Sequence, residues 1–147
     1  MAVSAKLYSH LPLNALKKLI SDLAAGGSDI KVMLCTSTYT PSQDNHENKG
    51  QITNEVTGTG YTAGGATLAT KTCTVTGRVT TFDAADTEWT SSTITARYAV
   101  IYDDTPATDA EKKVLMLVDF GEDKSSSDGT FKLEWNASGI FTMTVAA

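Results

Sequence analysis

The chain has 147 residues, 41% hydrophobic and 20% charged, with a net charge of −5 at pH 7. That length suits one domain able to bury its own core, residues 1–147, and that composition suits a folded chain rather than a disordered one. The acidic balance disfavours direct binding to nucleic acid or to an anionic membrane surface, which need clustered Lys and Arg, and no apolar run reaches transmembrane length.

The N-terminal stretch "MAVSAKLYSHL", residues 1–11, lacks the pattern of a signal peptide. Its apolar and aromatic residues allow two readings: an arm onto a neighbouring molecule, or a segment packed on its own sheet. In "LPLNALKKLISDLAAGG", Leu16, Leu19, Ile20 and Leu23 recur at helical spacing. Pro12 suits a first turn and Gly26 the position just past an end. The pattern predicts one amphipathic helix from Pro12 to Ala25 whose leucine stripe packs on a sheet.

After Gly27 threonine becomes abundant, which favours pleated structure over helix. "DIKVMLCTSTY" is a strand candidate. "TKTCTVTGRVTTF" alternates, with Cys73, Val75 and Val79 expected on one face and a bend at Gly77. "STITARYAVIYDD" alternates through Ile94, Ala96, Tyr98, Val100 and Tyr102, and Ala99 and Ile101 suggest that its second face is partly covered. "VLMLVDF" is apolar on both faces and reads as a central strand. "GTFKLEWNASGIFTMTVAA" reads as a hairpin turning near Ala137–Gly139. Between these runs lie polar connections, "TPSQDNHENKGQ", "DDTPATDAEKK" and "GEDKSSSDG", the first long enough for a mobile or interacting loop. Several short strands plus one helix predict a mainly β fold: an antiparallel β-sandwich of jelly-roll or Greek-key type with one N-terminal helix.

Candidate chemistry is sparse. "TGTGYTAGGATLAT", Thr57–Thr70, looks at first like a phosphate loop. Ala63 stands where a dinucleotide fingerprint needs its third glycine, Ala66 follows Gly65 where a P-loop needs lysine, and the sequel is strand-like rather than helical. The stretch reads instead as two tight turns flanking Tyr61. His46 lies among carboxylates in "DNHE" but lacks partners at zinc spacing, and His10 is distant. "DAADTEW" does not supply the oxygen ligands of a calcium loop. Asp103–Asp104 reads as a strand end rather than a catalytic dyad, and no nucleophile has a recognisable base. No enzymatic activity, metal or cofactor is expected. Cys35 and Cys73 both read as small buried thiols, although a disulfide between them remains open.

The ordered phrases "AKLYSHL", "DIKVMLCTSTYTPSQDNH", "NEVTGTGYTAGGATL", "TEWTSSTITARYAVIYDDTPAT", "VDFGEDKSSSDGTF" and "WNASGIFTMTV" span nearly the whole chain. In them the sequence resembles a family of small structural proteins of tailed bacteriophages. The second phrase holds the motif Thr-Ser-x-Tyr-x-Pro-x-x-Asp-x-His. The resemblance implies a virion component, assembled in the cytoplasm of a bacterial host, without catalytic residues. Within it, the expected role is a capsid decoration, or cement, protein that binds the major capsid protein on the outer shell and is itself a homo-oligomer. The alternatives are a tail, neck or fibre-adaptor component, and a carbohydrate-binding module using Trp89, Tyr61 or Tyr39. The residues expected to form contacts are Tyr8, Tyr39, Pro41 and Tyr61, each of which could equally be core.

Overall fold

A computed structural model describes residues 2–24 and 26–147. The chain is mainly β, in two antiparallel sheets. The elements in chain order are β1 (Ser4–Leu7), α1 (Leu11–Leu16), β2 (Ile30–Cys35), a 3-10 turn (Lys49–Gln51), β3 (Ala66–Thr67), β4 (Thr72–Thr76), β5 (Val79–Asp83), β6 (Thr87–Asp103), β7 (Val114–Leu133) and β8 (Phe141–Thr144). The larger sheet has the order β1-β7-β6-β2-β3 and the smaller β4-β5-β8.

The N-terminal stretch packs on its own sheet. β1 pairs antiparallel with β7 from Ser4 opposite Asp119 to Leu7 opposite Met116, so residues 4–7 do not form a free arm. The helix is far shorter than its leucine spacing predicts. It stops after Leu16 because the backbone N–H groups of Lys18 and Leu19 turn back to the carbonyls of Ala15 and Asn14. These two bonds make a Schellman cap with Lys18 in the left-handed region at φ 56°. Leu16 and Leu19 are exposed, and only Ile20 and Leu23 of the expected stripe reach the core. The expected helix end at Ala25 lies outside the described residues.

The larger sheet is buried on both faces around its centre. Along β2, Val32 and Leu34 enter one core while Met33 and Cys35 enter another. The first core lies between the two sheets and includes Phe82, Trp89, Phe120, Phe131 and Ile140. The second is covered by Tyr8 and by Tyr39 from the long loop after β2. That loop is anchored rather than free. Gln43 Nε2 donates to the Leu7 carbonyl at 2.6 Å, and the N–H groups of Val114 and Lys49 exchange bonds with Glu47 and Lys112. Gln51 Oε1 accepts from the N–H groups of Glu47 and Asn48.

β6 serves both cores in turn. Ile94 and Ala96 point into the first core, whereas Tyr98, Val100 and Tyr102 belong to the second. The change of phase coincides with a register shift: Ala96 lies opposite Lys124, but Tyr98 lies opposite Asp119. Two steps along β6 here match five along β7, and a slip by an odd number of residues moves every following side chain to the other face, so an unbroken alternation from Ile94 to Tyr102 does not survive folding. On β7 the extra residues include Gly121 at φ 78°. Asp119 Oδ1 accepts from the Gly121 N–H at 2.8 Å and from Arg97 Nε at 2.7 Å, which ties the two strands across the irregularity.

Two further expectations change. "GEDKSSSDG" is not a connection; it is the exposed middle of β7. Polar residues sustain a strand there because hydroxyls pair across it, Thr95 with Ser125 at 2.8 Å and Ser92 with Ser126 at 2.7 Å. The C-terminal stretch is not a hairpin either. β7 ends in the larger sheet, residues 134–140 cross over, and β8 pairs with β5. Gly77 does sit in a two-residue turn between β4 and β5, at φ 61°. That turn places Val79 opposite Thr76, on the threonine face and away from Cys73 and Val75. Cys35 is buried and Cys73 exposed, and both are free thiols, so the expectation of two buried thiols holds for Cys35 alone.

Two substitutions test these backbone positions by urea denaturation. Gly121→Ala forces a side chain into the left-handed region and is expected to destabilise the fold by about 1–2 kcal/mol. Lys18→Gly relieves the same strain at the helix cap. Less the extra chain entropy of glycine, it is expected to stabilise by roughly 0.5–1 kcal/mol.

Candidate functional site

The glycine stretch folds as a buckle on β2. Tyr61 points inward, donates its hydroxyl proton to Glu55 Oε1 at 2.8 Å and accepts the Leu34 N–H at 3.0 Å. Glu55 Oε1 also accepts the Gly64 N–H at 2.5 Å, and Tyr102 donates to the Gly64 carbonyl at 2.7 Å. Gly65, at φ 80°, lies so close to β2 that a Cβ would stand 2.0 Å from the Val32 carbonyl oxygen. Close backbone approach therefore explains the glycine density. Burial raises the hydroxyl pKa values of Tyr61 and Tyr102, which keeps both rings neutral donors.

On the opposite face of the sheet, Tyr8 and Tyr39 share a hydrogen bond of 3.2 Å, and the Tyr39 hydroxyl meets His46 Nδ1 at 2.8 Å. Burial pushes Tyr39 and the neighbouring Cys35 thiol up to about 12, and lowers His46. With Nδ1 unprotonated, donation runs from Tyr8 to Tyr39 and from Tyr39 to His46. Protonating Nδ1 reverses that direction and leaves the Tyr8 hydroxyl proton, fully buried, with no other acceptor among the described residues.

Of the four residues expected at contacts, Tyr8 and Tyr39 are thus inside the second core and Tyr61 packs against the first. Pro41, like Tyr61, is partly exposed, and it lines a small cleft with Gln43, Tyr98 and Asp119. Aromatic rings carry the largest apolar area per residue, and here the fold uses them to close its own cores. Trp89 is likewise buried, packed on Tyr61 and Phe131.

The acidic groups serve the framework. Asp103 accepts the N–H groups of Ser21 and Thr105. Burial works against ionisation of Asp104, but Lys112 at 2.8 Å and Lys31 at 2.6 Å outweigh it and hold the carboxyl below the usual range. Asp86 is held low by the Trp135 N–H and by Lys132. Asp44 accepts from the Ser9 hydroxyl. Among the described residues no group of three or more His, Cys, Asp or Glu converges as a metal site.

Two surfaces are left unfilled. A cleft of about 570 Å³ runs beside β1, floored by Met116, Val118, Phe120 and Leu133 and edged by Trp135. The second surface is the outer part of the small sheet. Cys73, Phe82 and Phe141 stand abreast, and Phe82 is buried in the shared core. The next row on the same face, Val75, Thr80 and Met143, extends beyond that core, with Val75 69% and Met143 41% exposed. The alternation in the sequence places Val75 on one face with Cys73, which the structure keeps. No local signal distinguishes a strand that ends over the core from one that overhangs it, nor marks Glu55 as the acceptor that seats the glycine stretch.

Comparison with family models, with curated proteins and with solved structures finds no match to this chain.

The Tyr8–Tyr39–His46 chain makes a pH prediction. Because burial favours neutral His46, its contribution to stability is present above the ordinary histidine value of about 6.5 and is lost as the pH falls through the lowered folded value. Melting temperature should therefore drop as the pH is lowered below about 6.5. In the His46→Gln variant that part of the pH profile should be flatter, as measured by circular dichroism.

Proposed function

We propose that the chain is a structural protein of a bacteriophage virion, a capsid decoration protein that sits on the outer shell and bridges neighbouring copies of the major capsid protein. The observation that supports this reading is the uncovered small sheet. β4 is exposed along its whole length and is an edge strand with neither charge nor proline to discourage pairing. Val75 on this strand and Met143 and Val145 on the far side of β5 offer apolar area to a partner. A surface of that kind suits docking on a protein lattice, where many modest contacts add by avidity. The resemblance of the ordered phrases to those of small tailed-phage structural proteins supports the same reading. In this reading the two antiparallel sheets, with the core of Val32, Phe82 and Ile140 between them, are the layers of a sandwich of jelly-roll or Greek-key type.

The carbohydrate reading loses the observation that favoured it. Trp89 and Tyr39 are buried and the Tyr61 hydroxyl is already bonded, so none of the three forms an open stacking platform.

Copy number separates decoration from a tail, neck or fibre-adaptor role. Quantified against the major capsid protein in purified particles, the chain should be present in hundreds of copies, on the order that lattice decoration requires. Particles lacking it should lose their contents at a lower temperature. A few copies per particle, in a ring of fixed symmetry, would replace decoration with the adaptor role.

A further inference from the structure

We infer that the end of the domain carrying α1 is a self-association face whose occupant is a second copy of this chain. The Schellman cap that halts α1 leaves Leu16 protruding, 85% exposed, with Leu13 exposed one turn earlier. Three residues beyond Leu16, Leu19 forms one wall of a cleft of about 460 Å³ whose other walls are Pro106, Ala107, Ala110, Glu111 and Lys113, the last ion-paired with Glu47. The same surface thus holds an apolar knob and an apolar socket.

Charge separates the two in a complementary way. Lys17 and Lys18 flank the knob, and among the described residues no carboxylate pairs with either. Glu111 edges the socket, bonded by the Thr108 hydroxyl at 2.8 Å but matched by no cation among the described residues. The neighbouring lysines are already neutralised: Lys112 by Asp104 and Asp109, and Lys113 by Glu47. A positive knob and a negative socket on one face are self-complementary, which is the requirement for a two-fold interface. Leu16 of each copy would enter the socket of the other, with Lys17 and Lys18 facing its Glu111. Opposite charges at the rim set register and partner choice, while the buried leucine supplies most of the affinity. This contact is a property of the isolated chain and stands or falls apart from the virion reading.

Sedimentation velocity over a concentration series tests it. The unmodified chain should show concentration-dependent dimer formation. Leu16→Asp, at an exposed position that leaves the melting temperature unchanged, should raise the dissociation constant at least about tenfold. Lys17→Glu/Lys18→Glu and, separately, Glu111→Lys should each weaken association, because each sets like charges against one another. An equimolar mixture of these two variants should recover it, since both contacts in the mixed dimer then join opposite charges. A monomer at every concentration, a dimer untouched by Leu16→Asp, or a mixture that stays monomeric would overturn the inference.

Discussion

The fold depends on one irregularity in its longest pair of strands. Between Ala96 and Tyr98 the β6–β7 register shifts, and Arg97 and Asp119 clasp across the place where it does so. The guanidinium meets both carboxylate oxygens, at 2.7 and 3.4 Å, and holds the Asp119 carboxyl below its usual range. Asp119 also receives the N–H of Gly121, whose positive φ lets β7 bulge. Without the shift, β6 would send Ile94, Ala96, Tyr98 and Val100 to one face. With it, the outer half of the ribbon closes the core beneath the small sheet, and the inner half closes both faces of the larger one.

Two-sided burial explains what becomes of the tyrosines. A sheet covered on both faces needs large side chains that tolerate a polar tip, and Tyr8, Tyr39, Tyr61 and Tyr102 each bury a ring while the hydroxyl finds a partner. Two of those hydroxyls fasten loops: Tyr39 holds His46 in the loop after β2, and Tyr102 holds Gly64 in the glycine stretch. The surface left for contact is consequently poor in aromatic residues and made of aliphatic ones, Leu16, Val145 and Val75 above all.

How much of this was legible follows from the range of each signal. "VLMLVDF" reads correctly as a central strand because burial on both faces imprints an unbroken apolar run on the sequence. The turn at Gly77 is likewise local and is found where expected. The helix fails as a prediction because leucine spacing reports a periodic stripe, not whether the stripe is covered; the cap at Lys18 and Leu19 ends it first. The strand through "GEDKSSSDG" is hidden because its stability comes from hydroxyls on β6, thirty and more residues away. Among the expected contact residues, the aromatic character of Tyr8, Tyr39 and Tyr61 was a sound sign of energetic weight but carried no direction.

The sequence by itself determined the β class, through its threonine-rich alternation, and a net charge of −5 at pH 7. It also determined that "TGTGYTAGGATLAT" is not a phosphate loop, since both its glycine spacing and its sequel are wrong for one. Only the tertiary structure decided which way the side chains face. Facing depends on register, and register is set by contacts between residues far apart in the chain: Arg97 with Asp119, Glu55 with Tyr61, and β2 with the glycine at position 65. Those contacts turn the tyrosines inward and leave Leu13 and Leu16 of α1 and the overhang of the small sheet outside.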